Sequence, residues 1–144
     1  MNKDKVEDLI PHRNPFLFVD RIISADKDTI VGLKKFDSSF YGFEGYFPEK
    51  KLVPGAILIE SMAQCGGAGV KEAGLIQGDG LFVLASITSA RFLAIVSPDD
   101  TVKMTIKNQR VTDKTIKQSG ICEVNGKVVA EAEWLSVNAG GAQL

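Results

Sequence analysis

The sequence predicts an α+β domain in which one curled, mostly antiparallel β-sheet wraps around a single long central helix. One observation is the stretch 53–74, where apolar residues fall on nearly every face at helical spacing, as in a buried helix. The other is the remainder of the chain, which divides into five or six strand-like segments separated by turns. Because a helix that is apolar on all sides needs cover on all sides, the sheet is expected to curl around it.

The segments before the central helix follow from local signals. A short helix is predicted over residues 6–10, and Pro11 ends it because proline cannot continue the helical hydrogen bonds. A strand-like segment follows at 21–23, and Asp26-Lys27-Asp28 is a turn. Residues 29–36 open with β-branched side chains, which favour a strand.

The central helix is predicted to begin near residues 53–55 and to stop at Gly74. Pro54 suits the first helical position, because its φ is fixed at a helical value and its missing N–H would have had no partner there. Two polar residues, Glu60 and Gln64, interrupt the apolar pattern. Their spacing of four places them on one face of the helix, one turn apart.

The Glu60 carboxylate has two interpretations, because an unpaired buried carboxylate costs on the order of several kcal/mol. In the first, Glu60 bonds a neighbouring backbone group or an arginine. In the second, it is a tuned acid or base that lines a pocket.

The segments after the helix predict a loop over 75–80, with Gly78 and Gly80 as its flexible points. Strands are predicted over 81–90, 101–111, 115–124 and 127–137. Asn125-Gly126 is the strongest hairpin signal in the chain. Residues 1–137 thus form one predicted domain, and residues 138–144 a disordered tail.

Composition excludes several classes of protein. The 144 residues are 44% hydrophobic, which suits one globular domain with a sizeable core. A net charge of −1 provides no electrostatic footprint for nucleic acid or for an anionic membrane. No apolar run reaches the length of a membrane span, and the N-terminus lacks a signal-peptide core, so we expect a cytoplasmic protein.

Cys65, Cys122 and the single histidine, His12, are predicted to be structural. The cysteines stand 57 positions apart without a CxxC pair or a nearby histidine, so neither a zinc site nor a disulfide framework is indicated. Both are expected to be small core residues. His12 is interpreted as a side chain that anchors a turn through hydrogen bonds, and Arg13, Asp20 and Arg21 as residues that pin the same segment.

The helix also predicts an assembly. A single sheet of this size covers an all-apolar helix incompletely, so a second copy of the chain is expected to complete the burial. That predicts a homodimer with any pocket near the shared interface.

The chain resembles the hot-dog-fold (3R)-hydroxyacyl-[acyl-carrier-protein] dehydratases of the FabZ type. The similarity covers nearly the whole chain in the right order. It is carried by HRNPFLFVDR (12–21), FEGYFP (43–48), VPG (53–55), LIESMAQ (58–64), ARF (90–92), VSPDD (96–100) and VNGKVVAEA (124–132).

The resemblance implies a lyase of fatty acid biosynthesis that acts without metal or bound cofactor. Such an enzyme removes water from a 3-hydroxyacyl thioester, carried on acyl carrier protein, to give the trans-2-enoyl thioester. The family's active site lies in a tunnel at the dimer interface, and the dimers are expected to assemble as trimers. A loop histidine of one subunit works there with the helix glutamate of the other, here Glu60.

The resemblance also implies which residues meet the substrate. Gly55 would offer its N–H to the thioester carbonyl at a helix N-terminus, where the dipole is favourable and no side chain blocks approach. Gln64 would hold the Glu60 carboxyl or a water. Phe47 and Pro54 are expected to lie beside the substrate, Phe47 as tunnel wall or core.

The loop departs from the family pattern, because Tyr46 stands where the family has its histidine. A phenol with an ordinary pKa near 10 is ionised in only about one molecule per thousand at pH 7, which makes it a poor general base. Four interpretations remain open. They are a working dehydratase in which Tyr46 orients and Glu60 transfers protons, a degenerate subunit that needs a histidine-bearing paralogue, an acyl thioesterase, and an acyl-thioester binding protein.

Overall fold

The computed structural model describes residues 3–47, 49–77 and 81–140, with side chains from Val6 onward. Within these residues there are three helices and six strands. They are α1 (Lys3–Leu9), β1 (Arg21–Ala25), β2 (Thr29–Lys35), α2 (Gly42–Gly45), α3 (Gly55–Glu72), β3 (Phe82–Phe92), β4 (Thr101–Val111), β5 (Thr115–Val124) and β6 (Lys127–Asn138).

The six strands form one sheet in the order β1-β2-β4-β5-β6-β3, and every neighbouring pair is antiparallel. The last three elements of the chain make a meander, whose final hairpin turns at Asn125 and Gly126 with φ of 52° and 81°. Positive φ at both central residues is the turn that Asn-Gly favours, so this predicted hairpin is confirmed. β3 lies at the edge and pairs only with β6.

Helix α3 packs against the sheet and contacts all six strands, which confirms the predicted α+β arrangement of a sheet around one helix. Glycines allow the close approach. A Cβ on Gly69 would lie 2.5 and 2.6 Å from Cγ1 and Cδ1 of Ile30, and a Cβ on Gly66 would lie 2.7 Å from the side-chain carbonyl carbon of Gln118. A carbon contact is normally about 3.5–4.0 Å, so neither glycine leaves room for a side chain.

The sheet leaves one side of α3 less covered than the others. Half-buried or exposed residues recur there at intervals of four and three, which is the helical repeat. They are Ala56, Glu60, Ala63, Gly67 and Lys71. Helix α1 contacts α3 and covers part of it. The prediction that one sheet covers this helix incompletely is confirmed.

The ends of α3 differ slightly from the prediction. Pro54 is the N-cap with ψ of 140°, and Gly55 is the first helical residue. At the other end Gly74 has φ of +73°, and the N–H of Leu75 bonds to the carbonyl of Val70. This left-handed glycine closes the helix as predicted.

Three other elements depart from the sequence-based boundaries. Helix α2 was not predicted; it is a single turn just before Tyr46. Strand β3 continues through Arg91 and Phe92, which the sequence assigned to a connection. The first helix begins at Lys3, three residues before its predicted start, and ends at Leu9, one residue before its predicted end. The loop positions Gly78 and Gly80 lie outside the described residues.

The predicted tail begins inside a strand. Asn138 is the last residue of β6, and the N–H of Ala139 donates to the carbonyl of Leu81 at 2.7 Å. The pairing between β3 and β6 therefore holds the chain to this point. Residues 141–144 lie outside the described residues.

Both cysteines are free and fully buried, so the prediction that they are small core residues is confirmed. Burial raises the pKa of the Cys122 thiol to about 12, and it raises the pKa of Cys65 further, with Cys122 adding to the effect. Across residues 3–47, 49–77 and 81–140, no three His, Cys, Asp or Glu side chains are grouped to hold a metal ion. None of the helices described there is long and apolar enough to cross a membrane.

Candidate active site

Glu60 lies on the less covered side of α3, and its side chain is 21% exposed. Its neighbour one turn on, Gln64, donates from Nε2 to Glu60 Oε2 at 2.9 Å. The spacing of four that the sequence shows thus becomes a direct hydrogen bond. The carboxyl group is held in place while still reaching the space beside the helix.

Gln64 itself is buried and uses its amide fully. Its Oε1 accepts from the N–H of Phe18 at 2.7 Å, and its Nε2 also donates to the carbonyl of Phe16 at 3.0 Å. Because Oε1 must face the Phe18 N–H, Nε2 has to face Glu60. Gln64 therefore ties the segment around residue 17 to the helix and fixes the orientation of the Glu60 carboxyl.

Glu60 opens onto a cavity of about 470 Å³, here called the Glu60 cavity. Its walls are formed by α3, the segment 9–16, the start of β3 and the neighbouring part of the sheet, and they are largely apolar. Polar groups are few, and they include His12, Glu60, Gln64 and Lys71. A mostly apolar pocket of this size with a few convergent polar groups is typical of a small-ligand site.

His12 lines the same cavity, with Nε2 3.8 Å from Glu60 Oε2. Burial lowers the pKa of His12 below its ordinary value and outweighs the Glu60 carboxylate, which acts to raise it; the Arg13 guanidinium adds to the lowering. The imidazole is therefore neutral at pH 7. Its Nδ1 atom is buried and has no hydrogen-bond partner in the described part of the chain.

Arg13 anchors the turn that the sequence assigned to His12. Its guanidinium donates to the carbonyls of Ile10, His12 and Glu7 at 2.7–2.9 Å. The predicted pinning by Arg13 is confirmed, and so is that by Asp20, which accepts from the Lys35 N–H and pairs with Lys34. The prediction that the His12 side chain anchors the turn by hydrogen bonds is wrong at Nδ1, because the carbonyls of this turn are satisfied by the guanidinium.

Tyr46 lies in a second cavity, here called the Tyr46 cavity, at the N-terminus of α3. It shares that cavity with Gly55, Phe92 and Leu93. Its ring is 41% exposed and meets the Phe47 ring edge to face, with 4.8 Å between the ring centroids. Phe47 is 61% exposed and has φ of +50°, a left-handed conformation that is uncommon outside glycine.

Gly55 begins α3, where the first backbone N–H groups have no carbonyl one turn earlier to bond. The ring of Phe92 lies against it, and a Cβ on Gly55 would be 2.8 Å from that ring. A larger residue here would therefore require the half-exposed Phe92 ring to move. Glycine also adds no side chain at the partly positive helix end, which favours an oxygen atom of a ligand.

Within one chain the predicted site residues fall into two groups. Glu60 and Gln64 are in contact, whereas Tyr46 and Gly55 line the other cavity. Pro54 and Phe47 adjoin the second group along the chain, and among the described residues they line neither cavity.

The nearness of His12 to Glu60 was not predicted. The two residues are 48 positions apart, and no spacing rule connects a turn residue with a helix face at that distance. The sequence also allows pairing of Glu60 with an arginine, and the described residues show no such pair. The carboxyl group contacts an amide and an imidazole instead.

Comparison with known proteins identifies relatives over most of the chain. Residues 10–133 match the sequence model of the FabA-like domain family. The chain is 38% identical over 130 residues to the 3-hydroxyacyl-[acyl-carrier-protein] dehydratase FabZ of Solibacter usitatus, covering 90% of this chain and 80% of the relative. It is 41% identical over 128 residues to FabZ of Sinorhizobium medicae, covering 87% and 81%.

Among solved structures, the chain is similar to one in the dehydratase heterocomplex ApeI:P from Xenorhabdus doucetiae. The TM-score is 0.76 over 92% of this chain and 90% of the other, at 18% identity. At that identity the similarity describes the fold.

Proposed function

The chain belongs to the FabA-like domain family, and we propose that it is a 3-hydroxyacyl-[acyl-carrier-protein] dehydratase of hot-dog fold. It would eliminate water from a (3R)-hydroxyacyl thioester to give the trans-2-enoyl thioester of fatty acid biosynthesis. The observation that carries the proposal is the Glu60 carboxyl, which Gln64 holds at the wall of a largely apolar cavity. An acyl chain needs such walls, and an elimination needs such a proton carrier.

Each of the two helix residues has one role in this proposal. Glu60 protonates the departing hydroxyl, because its position is fixed by Gln64 and it faces the cavity. The Gly55 N–H receives the thioester oxygen as negative charge develops there, since the helix N-terminus offers a free donor and a favourable dipole. Glu60 lies five positions after Gly55, which is about 7.5 Å along the helix axis. Tyr46 orients the thioester from the loop.

A homodimer is proposed from the exposed edge of the sheet. Residues 85–93 are all exposed, so this part of β3 lacks cover on both faces as well as a strand partner on its outer edge. The strand and the segment after it carry large apolar side chains that are about half exposed, namely Ile87, Phe92, Leu93 and Ile95. A second copy that presents the same edge would pair the free backbone groups and bury these side chains.

Sedimentation equilibrium tests the homodimer with two matched variants. Ile87→Asp places a charge in the proposed interface, whereas Ile23→Asp places one on β1 at the opposite edge, at a similar exposure. We expect twice the chain mass, or a multiple of it if dimers assemble further, for the natural protein and for Ile23→Asp. Ile87→Asp should shift the equilibrium to the monomer. An unchanged mass for Ile87→Asp would exclude this edge as the interface.

A second candidate function rests on Tyr46. By the resemblance, Tyr46 stands where the family has a loop histidine, so this chain would supply Glu60 to a mixed dimer whose paralogous partner supplies the histidine. This candidate requires that a histidine-bearing paralogue co-purify with the chain and restore activity on mixing. The acyl-thioester binding function differs from both, because it predicts chain binding without turnover.

Absorbance of the enoyl thioester tests the activity. The purified chain is incubated with a 3-hydroxyacyl thioester beside Glu60→Gln, with Glu123→Gln on β5 as the matched control. We expect turnover by the natural chain and the control, and a loss of about 10²- to 10⁴-fold in Glu60→Gln, as for removal of a positioned acid. Release of free thiol from a saturated acyl thioester would instead indicate a thioesterase. No product from either substrate would contradict the proposal.

A further inference from the structure

The imidazole of His12 is placed where a reacting group would be, in the same cavity as Glu60 and on the same chain. Its Nε2 is 3.8 Å from Glu60 Oε2, and the two side chains are 27% and 21% exposed. That distance is too long for a direct hydrogen bond and short enough for one water or a small rotation to connect the atoms. Both groups therefore reach the same apolar cavity.

The fold does not use the His12 side chain to hold its own turn. Arg13 bonds three carbonyls of that segment, while His12 Nδ1 is buried without a partner. An unpaired buried polar atom costs about 1–3 kcal/mol, so its presence in a native structure calls for an explanation. A role of the His12 imidazole in proton transfer, rather than in anchoring the turn, provides that explanation.

The charges around the ring favour a proton acceptor. Glu60 faces it from α3, Lys71 lines the same cavity about three turns further along α3, and Arg13 is its neighbour in the turn. Partial burial keeps the imidazole neutral at pH 7, because it lowers the pKa of His12 more than the carboxylate raises it. A neutral imidazole has one free lone pair, which is the state that a general base needs.

We propose that His12 is a catalytic residue of this chain and that it removes the C2 proton of the 3-hydroxyacyl thioester beside Glu60. The inference rests on the dehydratase function proposed above. It places both proton-transferring groups in one chain and frees the reaction from the need for a base at Tyr46.

The elimination balances over the pair. The C2–H bond breaks, its proton moves to the imidazole, and its electrons form the C2=C3 double bond as the C3–O bond breaks. The step requires Glu60 in its protonated form. The departing hydroxyl takes that proton and leaves as water, so the pair ends as imidazolium and carboxylate. One water that bridges the 3.8 Å gap then carries a proton from His12 to Glu60 and restores the starting state. The pair thus holds one proton at the start and at the end of each turnover.

The experiment compares pH profiles of kcat and KM for the natural chain, His12→Gln and Arg13→Gln. His12→Gln keeps a polar group near the Nε2 position but cannot titrate. Arg13→Gln is the matched control for structural damage, because it removes the three carbonyl bonds that hold the turn. Thermal unfolding of each variant reports whether the fold is kept.

We expect His12→Gln to lower kcat by about 10²- to 10⁴-fold, with a much smaller change in KM, and to abolish the acidic limb of the pH profile. Arg13→Gln should lower the unfolding temperature while it keeps that limb, moved to higher pH because the nearby cation is gone. The contrary result is that His12→Gln stays folded, keeps kcat within about threefold of the natural chain and retains the acidic limb of the pH profile. That result would overturn the catalytic role of His12 and leave the dehydratase function standing.

The single histidine allows a second readout that does not depend on activity. The imidazole resonance in an NMR titration belongs to His12 alone. Glu60→Gln should lower the measured pKa of His12, because the carboxylate that raises it has been removed. An unchanged pKa would show that the pair is not coupled and would overturn the role of His12. A natural chain that is inactive until Tyr46→His restores turnover would also overturn it, and it would assign the base to the loop.

Discussion

Two glycines on α3 differ in what lies against them, and alanine substitutions should separate them clearly. A Cβ on Gly69 would lie 2.5 and 2.6 Å from Cγ1 and Cδ1 of Ile30, so the helix or the isoleucine must move by about 1 Å to reach an ordinary contact. A Cβ on Gly67 would find only Ile10 Cγ2, at 3.9 Å. A methyl group at position 69 would therefore overpack the core, whereas position 67 has room for one.

The expected free energies follow from these distances. Overpacking a core costs about 1–3 kcal/mol, and replacing a helical glycine by alanine recovers about 1 kcal/mol. Gly69→Ala should therefore lower the free energy of unfolding by up to about 2 kcal/mol, whereas Gly67→Ala should raise it by about 0.5–1 kcal/mol. At roughly 4 °C per kcal/mol for a domain of this size, the two unfolding temperatures should differ by about 2–12 °C.

Urea unfolding at one protein concentration measures both variants, since any assembly makes the apparent stability depend on concentration. Ile30→Ala in the Gly69→Ala background provides the internal check. It removes the atoms that clash, so the cost of Gly69→Ala should be smaller there than in the natural chain. Equal stability of Gly67→Ala and Gly69→Ala would refute the close packing of α3 against β2.

Two further predictions concern buried polar groups. Gln64→Leu should lower the free energy of unfolding by about 2 kcal/mol or more, because it leaves the Phe18 N–H and the Phe16 carbonyl without their partner. Urea unfolding measures this loss. A loss below about 0.5 kcal/mol would contradict those two hydrogen bonds. The thiols of Cys65 and Cys122 should not react with Ellman's reagent at pH 8 until the protein unfolds. The thiolate is the reactive form, and burial raises the pKa of Cys122 to about 12 and raises the pKa of Cys65 as well. Rapid labelling of the native protein would contradict their burial.

Periodicity and turn chemistry were enough to predict most of the fold. The apolar run identified α3, Asn125-Gly126 identified the last hairpin, and the spacing of Glu60 and Gln64 anticipated a contact that is a 2.9 Å hydrogen bond. These features depend on residues that are close in sequence, so local rules reach them.

The features that escaped prediction depend on tertiary structure. His12 meets Glu60 only because Gln64 binds the backbone around residue 17 and brings the turn to the helix. The extension of β3 to Phe92 depends on pairing with β6, whose partner residue Ala130 is 38 positions later. The absence of a described hydrogen-bond partner for His12 Nδ1 could not be predicted, because it depends on the Arg13 guanidinium donating to the carbonyls of the turn instead.

The strand order also constrains how the chain reaches its native state. β3 is made before β4, β5 and β6, yet its place in the sheet is beside β6, with Phe82 opposite Asn138. During synthesis β3 must therefore wait, unpaired with β6, until the final strand has left the ribosome. The local hairpins of the meander can close early, whereas the long-range pairing with β3 pays a larger loop-closure entropy and comes late. The strand that carries the proposed interface is thus expected to be the last one docked, which couples completion of the fold to assembly.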